Sequence, residues 1–229
     1  SQGEAFTTVG DDGEILTNGM VSFDTRAAGI ARSWPREFGA EKLYGSTGHT
    51  AHPMFTLFKV LWLRDNLPDV WAKARKFYCF EELLHLHLGL NPAISYPLAG
   101  RTMMFNVCKH QWDTDILDAV GLSPEKLART LPAGAVVDVV PDGMCATLNL
   151  STGTIVVAGG HDQPCSSLGA GVLSSGRAMY GMGTVECICP AFEQAVFSDA
   201  LQESNLCTYD FTAKDMYTTV AFSLTGGNL

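Results

Sequence analysis

The chain has 229 residues, enough for one large domain or one and a half ordinary ones. Apolar residues make up 46% and charged residues 17%, so a sizeable core can be buried and global disorder is excluded. The 15 basic and 24 acidic residues leave a formal charge of −9, which argues against nucleic acid or an anionic membrane as partner. A phosphorylated ligand stays open, because backbone N–H groups and a metal can hold phosphate without a basic protein.

Residues 4–9 read as a strand. The turn Gly10-Asp-Asp-Gly13, a strand at 14–17, the turn Asn18-Gly19 and a strand at 20–23 complete a predicted meander ending at Asp24-Thr25-Arg26. Residues 31–52 are rich in Gly, Ser and Thr and read as a mobile loop. From Pro53 the pattern turns helical, with Met54, Phe58, Leu61 and Trp62 at three- and four-residue spacing. Pro68 opens a second helix, and Phe80–Leu88 a third that stops at Gly89. Asp113 is placed to cap a short helix ending at Gly121, and Ser123-Pro124-Glu125 signals another start. Residues 50–130 therefore read as a helical layer. Residues 135–140 and 154–158 are continuous apolar runs, the second of the kind covered on both faces of a sheet. A helix over 164–171, a boundary at Ser174-Ser-Gly176 and β segments at 178–189 and 206–224 follow.

No apolar run approaches the ~20 residues of a membrane span, and the N-terminus has no signal-peptide pattern. The seven cysteines include no C-x-x-C pair and read as reduced thiols of a cytoplasmic protein rather than a zinc site. The chain lacks an initiator Met and opens on a strand pattern, so it reads as a segment of something longer.

Asp162 is the most informative residue. It follows an apolar strand and Gly159-Gly160, at the strand's carboxyl end, where ligands of open α/β sheets bind. There it can act as a general base towards a substrate hydroxyl, or it can cap the helix that follows; spacing alone leaves both open. His161, its neighbour, is expected to point the opposite way, which argues against a dyad. Gly181-Met-Gly183-Thr184 in a predicted hairpin can cradle phosphate or be an ordinary turn. Glu4, Asp24 and Arg26 sit at strand ends, where they can bind a polyol or simply be solvated. His85 and His87, two apart on a helix, do not share a face. Cys165 as a nucleophile lacks a matched histidine.

Taken in order, several stretches resemble the FGGY family of carbohydrate kinases. They are Ser1-Gln-Gly-Glu-Ala5, Asn18–Arg26 (the segment written Trp-x-Asp-x-Arg), Thr47-Gly48, His52-Pro53 and Lys59–Leu63. Arg101-Thr-Met-Met-Phe-Asn106 with Trp112-Asp113, Gly159-Gly-His-Asp-Gln163 and Tyr180–Thr184 continue the series. The resemblance implies an α/β fold of two ribonuclease H-like, actin-type ATPase domains: an N-terminal, sugar-binding domain with a helical insertion over 1–173, lacking its first strands, and the start of a nucleotide-binding domain over 174–229. It implies ATP- and Mg²⁺-dependent phosphorylation of a sugar, sugar acid or polyol of the xylulokinase/gluconokinase kind. Asp162 would be the base, with a possible water-mediated contact to the metal. Gln2, Glu4, Asp24, Arg26, Met54 and Gln163 would bind the sugar, and Gly183, Thr184, Gly226 and Gly227 the nucleotide.

The family's first Asp-x-Gly-Thr hairpin and its later adenosine motif are not in the sequence, so the segment reads as the middle of a kinase, inactive alone. Ser22, Met54, Glu186 and Cys187 depart from relatives' residues, and Gly3 replaces the Arg of glycerol kinases, which points away from glycerol. The family's frequent homodimers extend to this chain as an expectation, without an interface to name. The alternative is a non-catalytic sugar-binding relative of the same fold.

Overall fold

The computed structural model describes residues 3–183 and 185–223. Strand β1 (Phe6–Val9) is buried along its whole length. The predicted meander is not formed: residues 14–17 and 20–23 give β1 only single bridges, Val9 to Ile15 and Phe6 to Met20. The partner of β1 is instead β2 (Lys76–Cys79), antiparallel with Phe6 opposite Cys79.

Two helices replace the predicted loop at 31–52: α1 (Ala28–Phe38) and α2 (Ala40–Thr47). Their glycines lower intrinsic helicity, but tertiary packing decides. Trp34 stacks on Phe38 at 4.8 Å and meets Phe58 edge-on at 6.3 Å, which fixes α1 on α3 (Thr56–Asn66). Pro53 precedes α3 rather than opening it, whereas Pro68 does open α4 (Pro68–Lys73).

Helix α5 (Phe80–His87) ends as expected just before Gly89. The predicted helical layer is interrupted here by β3 (Ala93–Ser95), then α6 (Tyr96–Gly100), β4 (Phe105–Asn106) and β5 (Gln111–Trp112). Helix α7 (Thr114–Val120) has the predicted cap, with the Asp113 carboxylate accepting from the Ile116 amide at 3.1 Å. After a 3-10 turn at Pro124–Lys126, β6 (Arg129–Leu131) runs parallel to β3.

Strands β7 (Val136–Val139) and β8 (Ile155–Val157) form an antiparallel pair flanking α8 (Asp142–Leu148). The expectation that β8 is covered on both faces fails: Ile155 is 55% exposed, and among the described residues β8 pairs with β7 alone rather than lying inside a larger sheet. Helix α9 (Asp162–Gly169) follows. Beyond it lie β9 (Ala178–Gly181), β10 (Glu186–Phe192), α10 (Asp199–Glu203), β11 (Tyr209–Asp210), β12 (Tyr217–Thr218) and β13 (Ala221–Ser223). These strands make a five-stranded sheet of order β11-β12-β10-β13, with β9 added on β10. Among the described residues no helix is long and apolar enough to cross a membrane.

The main core joins β1, β2, α3, β3, α6 and α7 through Phe6, Phe77, Phe58, Leu61, Ile94, Leu98 and Ile116. Gly48 ties it to the five-stranded sheet, its carbonyl accepting from the Thr208 amide at 2.8 Å. Its φ is +68°, and an added Cβ would lie 1.9 Å from the Thr208 carbonyl oxygen. Gly48→Ala is therefore expected to cost more than about 2 kcal/mol, because a left-handed backbone and a backbone clash combine. A denaturant midpoint equal to that of the wild type would show that the contact yields freely.

Glu82 on α5 is a second stress point. Its Oε2 is buried with no hydrogen-bond partner among the described residues. Burial first, then the neighbouring Glu81, push its pKa up to about 8 from 4.5. A group protonated in the folded state but ionised when unfolded helps stability below its unfolded value, and that help is lost as pH rises through the folded value. The wild type should thus lose stability between pH 4.5 and about 8. Glu82→Gln should flatten that slope in pH-dependent unfolding curves, and an unchanged slope would remove Glu82 as its source.

Candidate functional site

The site is built around Glu4, which enters β1 from a tight bend. Its carbonyl accepts from the Lys59 ammonium at 2.7 Å and from the Thr56 hydroxyl at 3.1 Å, both from the start of α3. The same ammonium reaches the Val21 carbonyl at 3.1 Å, so one buried lysine holds the Glu4 strand against the 20–26 segment. Burial first lowers its pKa, to about 8, despite nearby Glu4.

The Glu4 carboxylate is buried between two side-chain donors. Arg101, just after α6, gives Oε1 its Nε at 2.6 Å together with an Nη2 contact, and Ser22 gives Oε2 its hydroxyl at 3.0 Å. Burial pulls the Glu4 pKa up, but Arg101, His161 and these hydrogen bonds outweigh it and hold the carboxyl below its ordinary value. The Arg101 guanidinium lies 5.0 Å from the Phe55 ring centre and 5.5 Å from that of Tyr209.

Two histidines flank this pair, both kept neutral. Burial first, then Arg101, lower His49 to about 3 and His161 to about 4. The Arg101 Nη1 stands 3.3 Å from His49 Nε2, which must accept, so Nδ1–H donates to the Thr47 carbonyl at 2.6 Å.

Asp162 is the first residue of α9. The loop before it is pinned by Glu81, which accepts from the Gly159 amide at 2.9 Å and from the amide and hydroxyl of Ser95. The Asp162 side chain is 62% exposed. Its Oδ1 accepts from the Gln163 amide at 2.7 Å and lies 3.2 Å from His161 Nε2. Asp162 does not cap α9: the N-cap position is His161, without a side-chain cap bond, and Asp162 is the first helical residue, its carboxylate open to solvent. The expected divergence of His161 and Asp162 is overturned. His161 is extended (φ −65°, ψ 142°) but the helix begins at Asp162, so strand alternation does not apply across the pair. Burial first, then the charge of Asp162, raise the Cys187 thiol's pKa above its ordinary value.

The other predicted residues divide. Met54 joins Arg101, His49, Phe55, Cys207 and Phe222 on a cavity of about 350 Å³ between the main core and the five-stranded sheet. Asp24 and Arg26 bind each other instead, Arg26 Nε to Asp24 Oδ1 at 2.8 Å, with the guanidinium over Trp62. Gly183 lies in the β9–β10 turn, where an added Cβ would meet only ordinary contacts. Gln2, Thr184, Gly226 and Gly227 fall outside the described residues. Cys165 faces the Thr212 hydroxyl at 3.6 Å, which cannot activate a thiol. A larger cavity of about 480 Å³, walled by His110 and Asp210, contains none of the predicted residues. Sequence reasoning missed Arg101, His49 and Tyr209 as site residues. Arg101 did lie in a quoted motif, but nothing local announced its pairing with Glu4, 97 residues away.

Among the described residues no group of three or more His, Cys, Asp or Glu could hold a metal. A lone exposed carboxylate such as that of Asp162 is compatible with a hydrated Mg²⁺, which takes one or two carboxylates and is otherwise held by substrate phosphates.

Comparison with known proteins agrees with this architecture. The family model for "FGGY family of carbohydrate kinases, N-terminal domain" matches residues 1–169. A gluconokinase of Bacillus licheniformis is 27% identical over 179 residues, 78% of this chain and 35% of the relative. A xylulose kinase of Bacillus subtilis is 25% identical over 216 residues, 94% of this chain and 42% of the relative. An L-fuculokinase of Escherichia coli is 28% identical over 188 residues, 76% and 40% of the two. A xylulose kinase structure from Brucella ovis superposes with a TM-score of 0.90 at 20% identity, covering 97% of this chain and 45% of that one. A ligand-bound xylulose kinase from Lactobacillus acidophilus gives 0.88 at 22%, covering 98% and 45%. The fold is the ribonuclease H-like, actin-type one, and the chain spans less than half the length of these relatives.

Proposed function

The chain belongs to the FGGY family of carbohydrate kinases, and from that premise we propose that the full-length protein phosphorylates a hydroxyl of a sugar, sugar acid or polyol, with Asp162 as general base. The observation that carries this reading is the Asp162 carboxylate itself. It stands exposed at a helix start, 3.2 Å from the ring of His161, a histidine that itself lies within the field of the buried Glu4–Arg101 pair.

ATP with Mg²⁺ supplies the electrophilic γ-phosphoryl group and neutralises its charge. Asp162 takes the proton of the attacking hydroxyl as the new sugar O–P bond forms and the bond to ADP breaks. The protein's other contribution is positioning. Glu4 retains acceptor capacity beyond Arg101 and Ser22 and offers it to sugar hydroxyls, together with Gln163, Met54, Gln2 and the Asp24–Arg26 pair. Gly183, Thr184, Gly226 and Gly227 approach the nucleotide. On this division residues 1–173 form the sugar side and 174–229 begin the nucleotide side. Relatives named for gluconate, xylulose and L-fuculose support an open-chain or small cyclic polyhydroxylated substrate.

The test is a coupled ADP-release assay of the full-length protein against pentuloses, hexonates, deoxyhexoses and polyols. Sugar-dependent ADP release with at least one of them is expected. Sugar binding without ADP release on any would leave the reading without its reaction.

A further inference from the structure

The strongest unused feature of the site is the chain of polar contacts behind Asp162. His161 Nδ1 is 2.9 Å from the Tyr209 hydroxyl, and its Nε2 is 3.2 Å from Asp162 Oδ1. Resting on the base assignment above, we infer that His161, locked by Tyr209, is a positioning residue that fixes the Asp162 carboxylate in its reactive orientation.

The directions of these bonds follow from chemistry. An ionised carboxylate only accepts, so the ring nitrogen facing it must carry the proton. The other ring nitrogen of a neutral imidazole then accepts, and Tyr209 is its donor. Tyr209 is fully buried, and burial raises its hydroxyl well above the ordinary phenol value, so it stays protonated. The order is Tyr209 O–H to His161 Nδ1, then His161 Nε2–H to Asp162 Oδ1.

Two further observations give the arrangement its consequence. The Gln163 amide donates to the same oxygen, Oδ1, at 2.7 Å. Among the described residues Oδ2 has no hydrogen bond, so both donors clamp one oxygen and leave the other for a substrate proton. The histidine ring is itself confined: a Cβ on Gly3 would lie 3.1 Å from its Cδ2 and 3.0 Å from Arg101. An exposed aspartate on its own would sample several rotamers, and reacting groups misplaced by about 1 Å lose up to ~10²-fold in rate. The ring supplies what the surface position lacks.

The experiment uses the full-length protein and the best substrate of the panel. His161→Leu keeps bulk and removes the donor. His161→Gln places an amide N–H₂ where Nε2 was. Tyr209→Phe removes the lock. His161→Leu is expected to lower kcat about 10- to 100-fold, the range of lost supporting hydrogen bonds, with KM within about 3-fold. His161→Gln should recover most of that loss, and Tyr209→Phe should fall between. In an Asp162→Asn background, His161→Leu should add nothing, since there is no longer a base to orient. Normal kcat in His161→Leu, or His161→Gln as impaired as His161→Leu, would overturn the positioning role while leaving the base in place. Normal turnover in Asp162→Asn alone would instead overturn the base, and with it the reason for the relay.

Discussion

Asp162→Asn in the full-length protein is expected to lower kcat by about 10²–10⁴-fold, the usual worth of a positioned general base. Sugar affinity should change little. The amide keeps the size of the carboxylate, and its oxygen still accepts from the Gln163 amide and from His161 Nε2. What disappears is the ability to take a proton from the attacking hydroxyl. The split between turnover and binding is the informative readout, because a defect in folding or sugar recognition would move both. Equilibrium sugar binding by calorimetry alongside steady-state kinetics makes the distinction. Turnover near that of the wild type would assign the proton to another group.

The largest stability effect is expected at Arg101. Replacing it with Met keeps the apolar stem between Phe55 and Tyr209 but leaves the Glu4 carboxylate buried with Ser22 as its remaining side-chain donor. Uncovering one half of a buried ion pair costs about 3–5 kcal/mol. The pH dependence gives a second handle. Glu4 has its pKa lowered in the fold, so its contribution is present above the unfolded value of about 4.5 and is lost as pH falls through the folded one. Arg101→Met should therefore weaken the protein strongly at neutral pH and much less in acid, where Glu4 is protonated. Combining it with Glu4→Gln should recover part of the loss. Urea midpoints at two pH values decide the matter. A loss of equal size at both would mean that packing, not charge, is what Arg101 provides.

Glu82 behaves in the opposite sense. Its raised pKa makes it a burden that grows with pH, whereas Glu4 is an asset that fades in acid. The difference lies in partners: Glu4 has a guanidinium and a hydroxyl, while among the described residues Oε2 of Glu82 has none.

Local signals in the sequence were read well. Asp113 caps α7, Pro68 opens α4, and Gly89 and Gly121 follow helices that stop where the pattern stops. Each of these depends on side chains within four or five residues of the backbone they satisfy. The helices at 28–47 were not legible, because their composition favours loop and the packing of residues such as Ala31, Trp34, Leu43 and Tyr44 against distant parts of the chain makes them form. Strand β2 was missed for a similar reason: its four residues gain strand character from pairing with β1, about 70 positions earlier in the chain. The ordered motifs pointed to the family and to Asp162. They did not show that His161 shares its side of the chain, since that depends on the backbone changing from extended to helical between the two residues. Nor could spacing reveal the Glu4–Arg101 pair, which is closed by tertiary structure alone.

The most direct test is a crystal structure of the full-length protein with its sugar and a non-hydrolysable ATP analogue. An Asp162 carboxylate oxygen should then lie ~2.6–3.2 Å from one sugar hydroxyl, on the side facing the γ-phosphate. A sugar seated with every hydroxyl out of reach of Asp162, or with another acid or histidine at that hydroxyl, would contradict the assignment.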